Sequence, residues 1–168
     1  MNTITNHQAV KQVCPPDSFE KGHAFEKYII QLFNERYFKL MKWRQAERIT
    51  DNSYLFDRSN PDLELVFAGA KKYRFAVECK WRKEFTCGKI DWASSYQVCV
   101  YEHFQEQNRI PVFIAIGIGG EPSNPERLFV TPLDNISMYT EVYESDLIPY
   151  KRKPTHKFFY DTVQLRLF

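Results

Sequence analysis

Two short segments hold the residue types that could do chemistry: Pro61-Asp62, and Glu78-Cys79-Lys80. Each lies in an apolar, β-prone run. Asp62 opens the stretch to Phe67, and Glu78 and Lys80 come near the end of Tyr73 to Trp81. Between them Gly69-Ala70-Lys71-Lys72 has turn composition, which predicts a hairpin. Side chains two apart on a strand share a face, so Glu78 and Lys80 project together and Cys79 points the other way. Folding the hairpin back brings Asp62 towards that pair. Two carboxylates and an ammonium at the end of a buried sheet are costly unless a cation or a network compensates them. The chemistry such a group suits is phosphodiester hydrolysis with a divalent metal. The competing reading is a set of salt-bridged strand ends with no metal.

The elements that must position these residues follow in order. Asp17-Ser18-Phe19-Glu20 has the form of a capping box, and behind it Phe25, Ile29, Leu32, Phe33, Arg36 and Leu40 recur at helical spacing. Gly22 inside that helix costs about 1 kcal/mol against Ala, which points to close packing or a ligand's approach. Met41 to Ile49 is read as an outer strand, Thr50 to Asn60 as loop and Phe85 to Lys89 as a connecting loop. Asp91 is expected to cap a helix to about Gln107, with Trp92, Tyr96, Cys99, Val100, His103 and Phe104 inward. Pro111 to Ile118 is nearly all apolar, as in a central strand covered on both faces. Arg127 to Thr131 reads as the next strand, Tyr139 to Ser145 as a short helix, and His156 to Phe168 as a terminal strand or hairpin.

At 168 residues the chain is most simply one domain. We divide it into a flexible arm over 1–16 and a single domain over 17–168. Aromatic residues make up 16% and apolar ones 43%, which argues against disorder over most of the length. The formal charge is only +2, so a nucleic-acid partner would need a local basic face. No run approaches a membrane span, and the first residues lack the pattern of an export signal, so a cytoplasmic protein is expected. The four cysteines, Cys14, Cys79, Cys87 and Cys99, have no C-x-x-C spacing and are expected to be free thiols. The four histidines are scattered with no H-E-x-x-H, and Gly117-Ile118-Gly119-Gly120 lacks the lysine of a phosphate loop.

In this order of elements the chain resembles the PD-(D/E)XK nucleases, the restriction-endonuclease-like superfamily. Within it, the nearest shape is the branch of modified-DNA restriction enzymes and archaeal Holliday-junction resolvases. The motif is matched by Pro61-Asp62 and Glu78-Cys79-Lys80, the acidic residue of the first helix by Glu26, and a helical Gln-x-x-x-Tyr pattern by Gln97 and Tyr101. The resemblance spans Ser18 to Thr131. It implies an α/β fold with a restriction-endonuclease-like core, a mixed β-sheet flanked by helices, in the order α-β-β-β-α-β-β.

The resemblance also implies a metal-dependent endonuclease acting on DNA. Asp62, Glu78 and the Cys79 backbone carbonyl would bind Mg2+, with Mn2+ able to substitute, and Lys80 would assist the attacking water. Glu26, Gln97 and Tyr101 would support the site. For Glu26 an ordinary ion pair, and for Tyr101 a place on the buried stripe, stay open as alternatives. Trp81, Arg82, Lys83 and Lys89 are candidates for contacting nucleic acid, positioning phosphates rather than reading bases. Arg44, Arg48 and Lys151-Arg152-Lys153 are weaker candidates. Double-strand cutting needs two sites or two events, which suggests a homodimer or a specificity-bearing partner. The alternative is a catalytically inactive nuclease-fold module that binds nucleic acid or protein.

Overall fold

The structure is a computed structural model that describes residues 11–14, 16–45, 47–50, 53–57 and 60–168. Its centre is a six-stranded mixed sheet. In chain order the strands are β2 (Phe38–Trp43), β5 (Leu63–Ala68), β6 (Lys72–Arg82), β8 (Val112–Ile118), β9 (Arg127–Pro132) and β11 (Lys151–Arg152). They lie side by side as β11-β9-β8-β6-β5-β2. All neighbours are antiparallel except β6 and β8, which run parallel with Glu78 opposite Ile114 and Lys80 opposite Ile116. A parallel pair needs a crossover. The connection supplies one through β7 (Lys89–Asp91) and helix α2 (Ser95–Asn108).

Helix α1 (Pro16–Leu32) covers one face and α2 the other. The period of two along the strands sorts the side chains. Phe75, Val77, Phe113 and Ala115 join Phe25, Ile29 and Leu32 in one core, while Ala76, Val112, Ile114 and Ile116 join Val98, Tyr101 and Phe104 in the other. All seven residues of β8 are buried, as expected of a strand covered on both sides. Counting only the helices and strands of this assembly up to β9, the order is α-β-β-β-α-β-β. The C-terminal hairpin, β12 (Tyr160–Asp161) with β13 (Arg166–Leu167), closes the first core through Tyr160.

Several local expectations are corrected. Helix α1 stops at Leu32 instead of running to Leu40, because Phe38 turns back onto Phe33 and Phe75, with ring centroids 5.0 and 6.1 Å away. Leu40 is consequently exposed. The helix begins at Pro16, whose missing N–H is harmless in a first turn. Asp17 therefore does not cap it and pairs with Lys21 at 2.8 Å. The outer strand read over 41–49 is two strands, β2 and β3 (Glu47–Thr50), and the loop read over 50–60 contains β4 (Ser53–Asp57). Lys11–Cys14, part of the stretch read as an arm, forms β1 against β4, so the small sheet β1-β4-β3 depends on a long-range pairing with no local signal. Residues 1–10 lie outside the described residues.

The second helix is capped by Ser94, not Asp91, which ends β7. Its buried stripe is Val98, Tyr101 and Phe104, while Tyr96, Cys99 and His103 face outward. Both phases carry apolar residues, and the one that places Tyr101 over the sheet prevails. Part of the expected connecting loop, Lys89, is the first residue of β7, paired with β10 (Glu141–Tyr143) where a helix was expected; a short helix starts only at Glu144. Cys79, Cys87 and Cys99 are free thiols, while the side chain of Cys14 is outside the described residues. Among the described residues no helix is long and apolar enough to cross a membrane.

Candidate active site

The alternation along β6 turns Cys79 into the α1-side core and leaves Glu78 and Lys80 on the other face. Burial, then the charge of Asp62, pushes the Cys79 thiol well up, so it remains protonated. Asp62, just ahead of β5, is stitched to this strand twice. The Cys79 N–H donates to Asp62 Oδ2 at 2.8 Å, and the Asp62 N–H donates to Glu78 Oε2 at 3.3 Å. Lys80 Nζ donates to Glu78 Oε1 at 2.5 Å. The three residues picked out by spacing alone therefore converge.

From α2, the Tyr101 hydroxyl donates to the same Glu78 Oε1 at 2.6 Å and accepts from Lys80 Nζ and Gln97 Nε2 at 3.4 and 3.3 Å. Gln97 works at both ends of its amide, since its Oε1 accepts from the Ser94 N–H at 3.1 Å in the capping box that starts the helix. The cap thus fixes the angle at which Tyr101 reaches Glu78. From α1, buried Glu26 accepts a hydrogen bond from Trp43 Nε1 at 2.6 Å. The His23 ring stacks on Trp43 and on Phe19, at 4.9 and 5.5 Å between centroids.

The pairing expected for the trio is present, but the charges do not cancel. Burial raises Asp62 well above the usual carboxylate range, and the charges of Glu78 and Glu26 add to it. Glu26 is pushed up to about 7, mainly by burial, with the Trp43 hydrogen bond opposing and the Glu78 charge adding. His23 is lowered by burial and by Lys27, so its ring is neutral near pH 7. Glu26, Asp62, Glu78, Lys80, Gln97 and Tyr101 all line one cleft of about 500 Å³. Gly22 lines it too. A Cβ there would meet nothing within 4 Å, so close packing is not the reason for this glycine.

Of the residues proposed to contact nucleic acid, Trp81, Arg82 and Lys83 line the same cleft. Trp81 Nε1 donates to the Gly119 carbonyl at 3.2 Å, and the Arg82 guanidinium donates to the Asp91 and Trp81 carbonyls, both at 2.9 Å. Those two brace the fold, whereas Lys83 is exposed at the rim. Lys89 is not brought to the cleft. It pairs with Glu141 at 2.6 Å across β7 and β10.

Trp43 carries no functional signal in the sequence, and Arg44 offers only a weak surface candidate there. Arg44 donates to Glu64 and, at 2.6 Å, to the Pro61 carbonyl. Burial pulls the Glu64 carboxyl upward, but Arg44 and Lys42 outweigh it and hold it below its usual range. No local pattern marks Trp43-Arg44, because their partners lie on α1 and ahead of β5.

Among solved structures the chain is similar to Hjc of Archaeoglobus fulgidus, described as a Holliday junction resolvase from an archaeal hyperthermophile. The TM-score is 0.55 at 16% identity, and the match covers 79% of this chain and 95% of the other. The two chains share a fold. A mixed sheet flanked by helices is what the likeness establishes. No protein-family model matches the chain, and no curated protein matches it in sequence.

The donor set can be tested against a cation directly. Among the described residues no group of three or more His, Cys, Asp or Glu side chains is arranged to hold a metal ion. Asp62 and Glu78 nonetheless offer hard oxygen donors side by side, with one ammonium against three mutually repelling carboxylates. That excess of negative charge fits an oxygen-preferring cation held by two carboxylates and a main-chain carbonyl, not by a cage of side chains.

Proposed function

We propose that this chain is a divalent-metal-dependent endonuclease that hydrolyses phosphodiester bonds in DNA. The observation that carries the reading is the stitching of Asp62 to Glu78 and Cys79, with Lys80 alongside, in a cleft of a fold shared with a Holliday-junction resolvase. Asp62, Glu78 and the Cys79 carbonyl would hold Mg2+, or Mn2+ in its place. When bound, such a cation acidifies water and offsets charge that builds on phosphoryl oxygens.

The remaining chemistry belongs to the chain. Lys80 holds the attacking water and sets a positive charge beside the developing anion. Tyr101, anchored by Gln97, keeps Glu78 and Lys80 in one geometry. Glu26, titrating near 7, can accept a proton or return one at neutral pH. Lys83 and Lys21 on the rim would position phosphates without reading bases. Cutting both strands of a duplex calls for two such centres, as in a homodimer or beside a partner protein.

One observation favours a second reading, a nuclease-fold module that binds without hydrolysing. Glu78 Oε1 already accepts from both Lys80 and Tyr101, which satisfies it without a cation. Cleavage of plasmid and four-way-junction DNA in Mg2+ or Mn2+, comparing wild type with Asp62→Asn and Lys80→Ala, separates the two. Metal-dependent cleavage lost in both variants supports the nuclease. Binding without cleavage in any metal supports the module, and equal activity in all three proteins reveals a contaminant.

A further inference from the structure

Two consecutive residues, the last of β2 and the one that follows it, each grip a different acidic arm of the cleft. The Trp43 indole N–H donates to Glu26 Oε2 at 2.6 Å, and the ring is held in place by the stack of His23 and Phe19. Arg44 grips the segment that bears Asp62 from both sides. Its backbone N–H donates to the Asp62 carbonyl at 2.8 Å, and its Nη1 donates to the Pro61 carbonyl at 2.6 Å. The same guanidinium pairs with Glu64 on β5 and lies 5.7 Å from the Phe104 ring centroid on α2, three residues beyond Tyr101.

We propose that Trp43 and Arg44 are a positioning pair that fixes the separation of Glu26 and Asp62, and so the shape of the reaction centre. Glu26 rides on α1 and Asp62 precedes β5, so the two carboxylates belong to elements distant in the chain. Like charges in a buried cleft push apart, and something must resist that. The strand end does so through donors fixed by packing: an indole locked in an aromatic stack, and a planar guanidinium with several partners that a flexible ammonium cannot satisfy together. Neither residue need touch substrate. The inference rests on reading Glu26 and Asp62 as parts of one centre.

The test uses Trp43→Phe, which keeps a ring but loses the donor, and Arg44→Lys, which keeps the charge but loses the fork. Three readouts are taken on the full chain: thermal midpoint, Mn2+ affinity by electron paramagnetic resonance without nucleic acid, and kcat and KM on plasmid DNA at saturating Mn2+. Loss of a hydrogen bond to a charged group corresponds to about tenfold or more. We expect Trp43→Phe to lower kcat by about that factor with KM and Mn2+ affinity unchanged. We expect Arg44→Lys to weaken Mn2+ binding by a similar factor, with kcat partly restored by excess Mn2+. If both variants match wild type in Mn2+ affinity and in kcat, the positioning role is overturned and the nuclease reading stands. If wild type itself neither binds Mn2+ nor cleaves, both fall together. Should Arg44→Lys melt too early to assay, the kcat-against-KM split in Trp43→Phe decides the matter alone.

Discussion

Tyr101 and Lys80 approach the same oxygen of Glu78, one from α2 and one from β6, at 2.6 and 2.5 Å. A buried carboxylate with two donors on one atom is oriented as well as neutralised. The prediction follows for Tyr101→Phe, which deletes one donor and keeps the ring. It should lose about 1–2 kcal/mol of stability and lower kcat by roughly tenfold, read by thermal melting and by plasmid nicking.

Stability should depend on pH in the direction set by Glu26 and Asp62. Both are raised in the folded state, Glu26 from 4.5 to about 7. An acid whose folded pKa is raised favours folding while protonated in both states. That advantage is full below the unfolded value and disappears as pH rises through the folded one. In the presence of a chelator the melting temperature should fall between about pH 4.5 and 7 from the Glu26 contribution, and Asp62, whose folded value is also raised, should deepen the decline as pH rises. Asp62→Asn should flatten the decline, and Mg2+ should reverse it. A profile unchanged by Asp62→Asn would show that the clustered charge is not its source.

Glu64 runs the other way. Its carboxyl lies below its usual range through Arg44 and Lys42, so its contribution is present at neutral pH and lost in acid. Glu64→Ala strands a guanidinium that is mostly buried, which should cost about 3 kcal/mol, measured by urea unfolding.

Two glycines give opposite expectations. At Gly117 a Cβ would sit 2.4 Å from the Phe25 ring in a packed core, so Gly117→Ala should destabilise by about 1–3 kcal/mol. At Gly22, in the middle of α1, there is open space, so Gly22→Ala should stabilise by about 0.5–1 kcal/mol. Paired melting curves check both, and weaker DNA binding by Gly22→Ala would identify what the open space receives.

Much of the centre was legible because its residues sit on short, strongly patterned elements. Glu78, Cys79 and Lys80 obey the alternation of one strand, and Gln97 and Tyr101 obey one helical turn. The unbroken apolar run of β8 could only be a covered strand. What stayed hidden depends on partners distant in sequence. Lys11–Cys14 becomes a strand by pairing with Ser53–Asp57, whose surroundings are turn-like in composition. The end of α1 is decided by Phe38 folding back onto Phe33 and Phe75, not by a local stop signal. Trp43 and Arg44 draw their meaning from Glu26 and Pro61, and nothing in their own neighbourhood announces it.

Strand β6 pairs antiparallel with β5 over Lys72–Val77 and parallel with β8 over Ala76–Arg82, and the part that bears Glu78 and Lys80 is held by β8 on one side and by the Cys79 N–H on Asp62 on the other. A backbone tied in this way moves little to follow a ligand. In the proposed function the yielding must come from the nucleic acid, which would have to bend or unstack to offer a phosphate to Glu78. Stiff duplex resists that deformation more than a junction, a nick or a flexible pyrimidine–purine step does. Selectivity could then arise from the mechanics of the substrate, without any residue that reads a base.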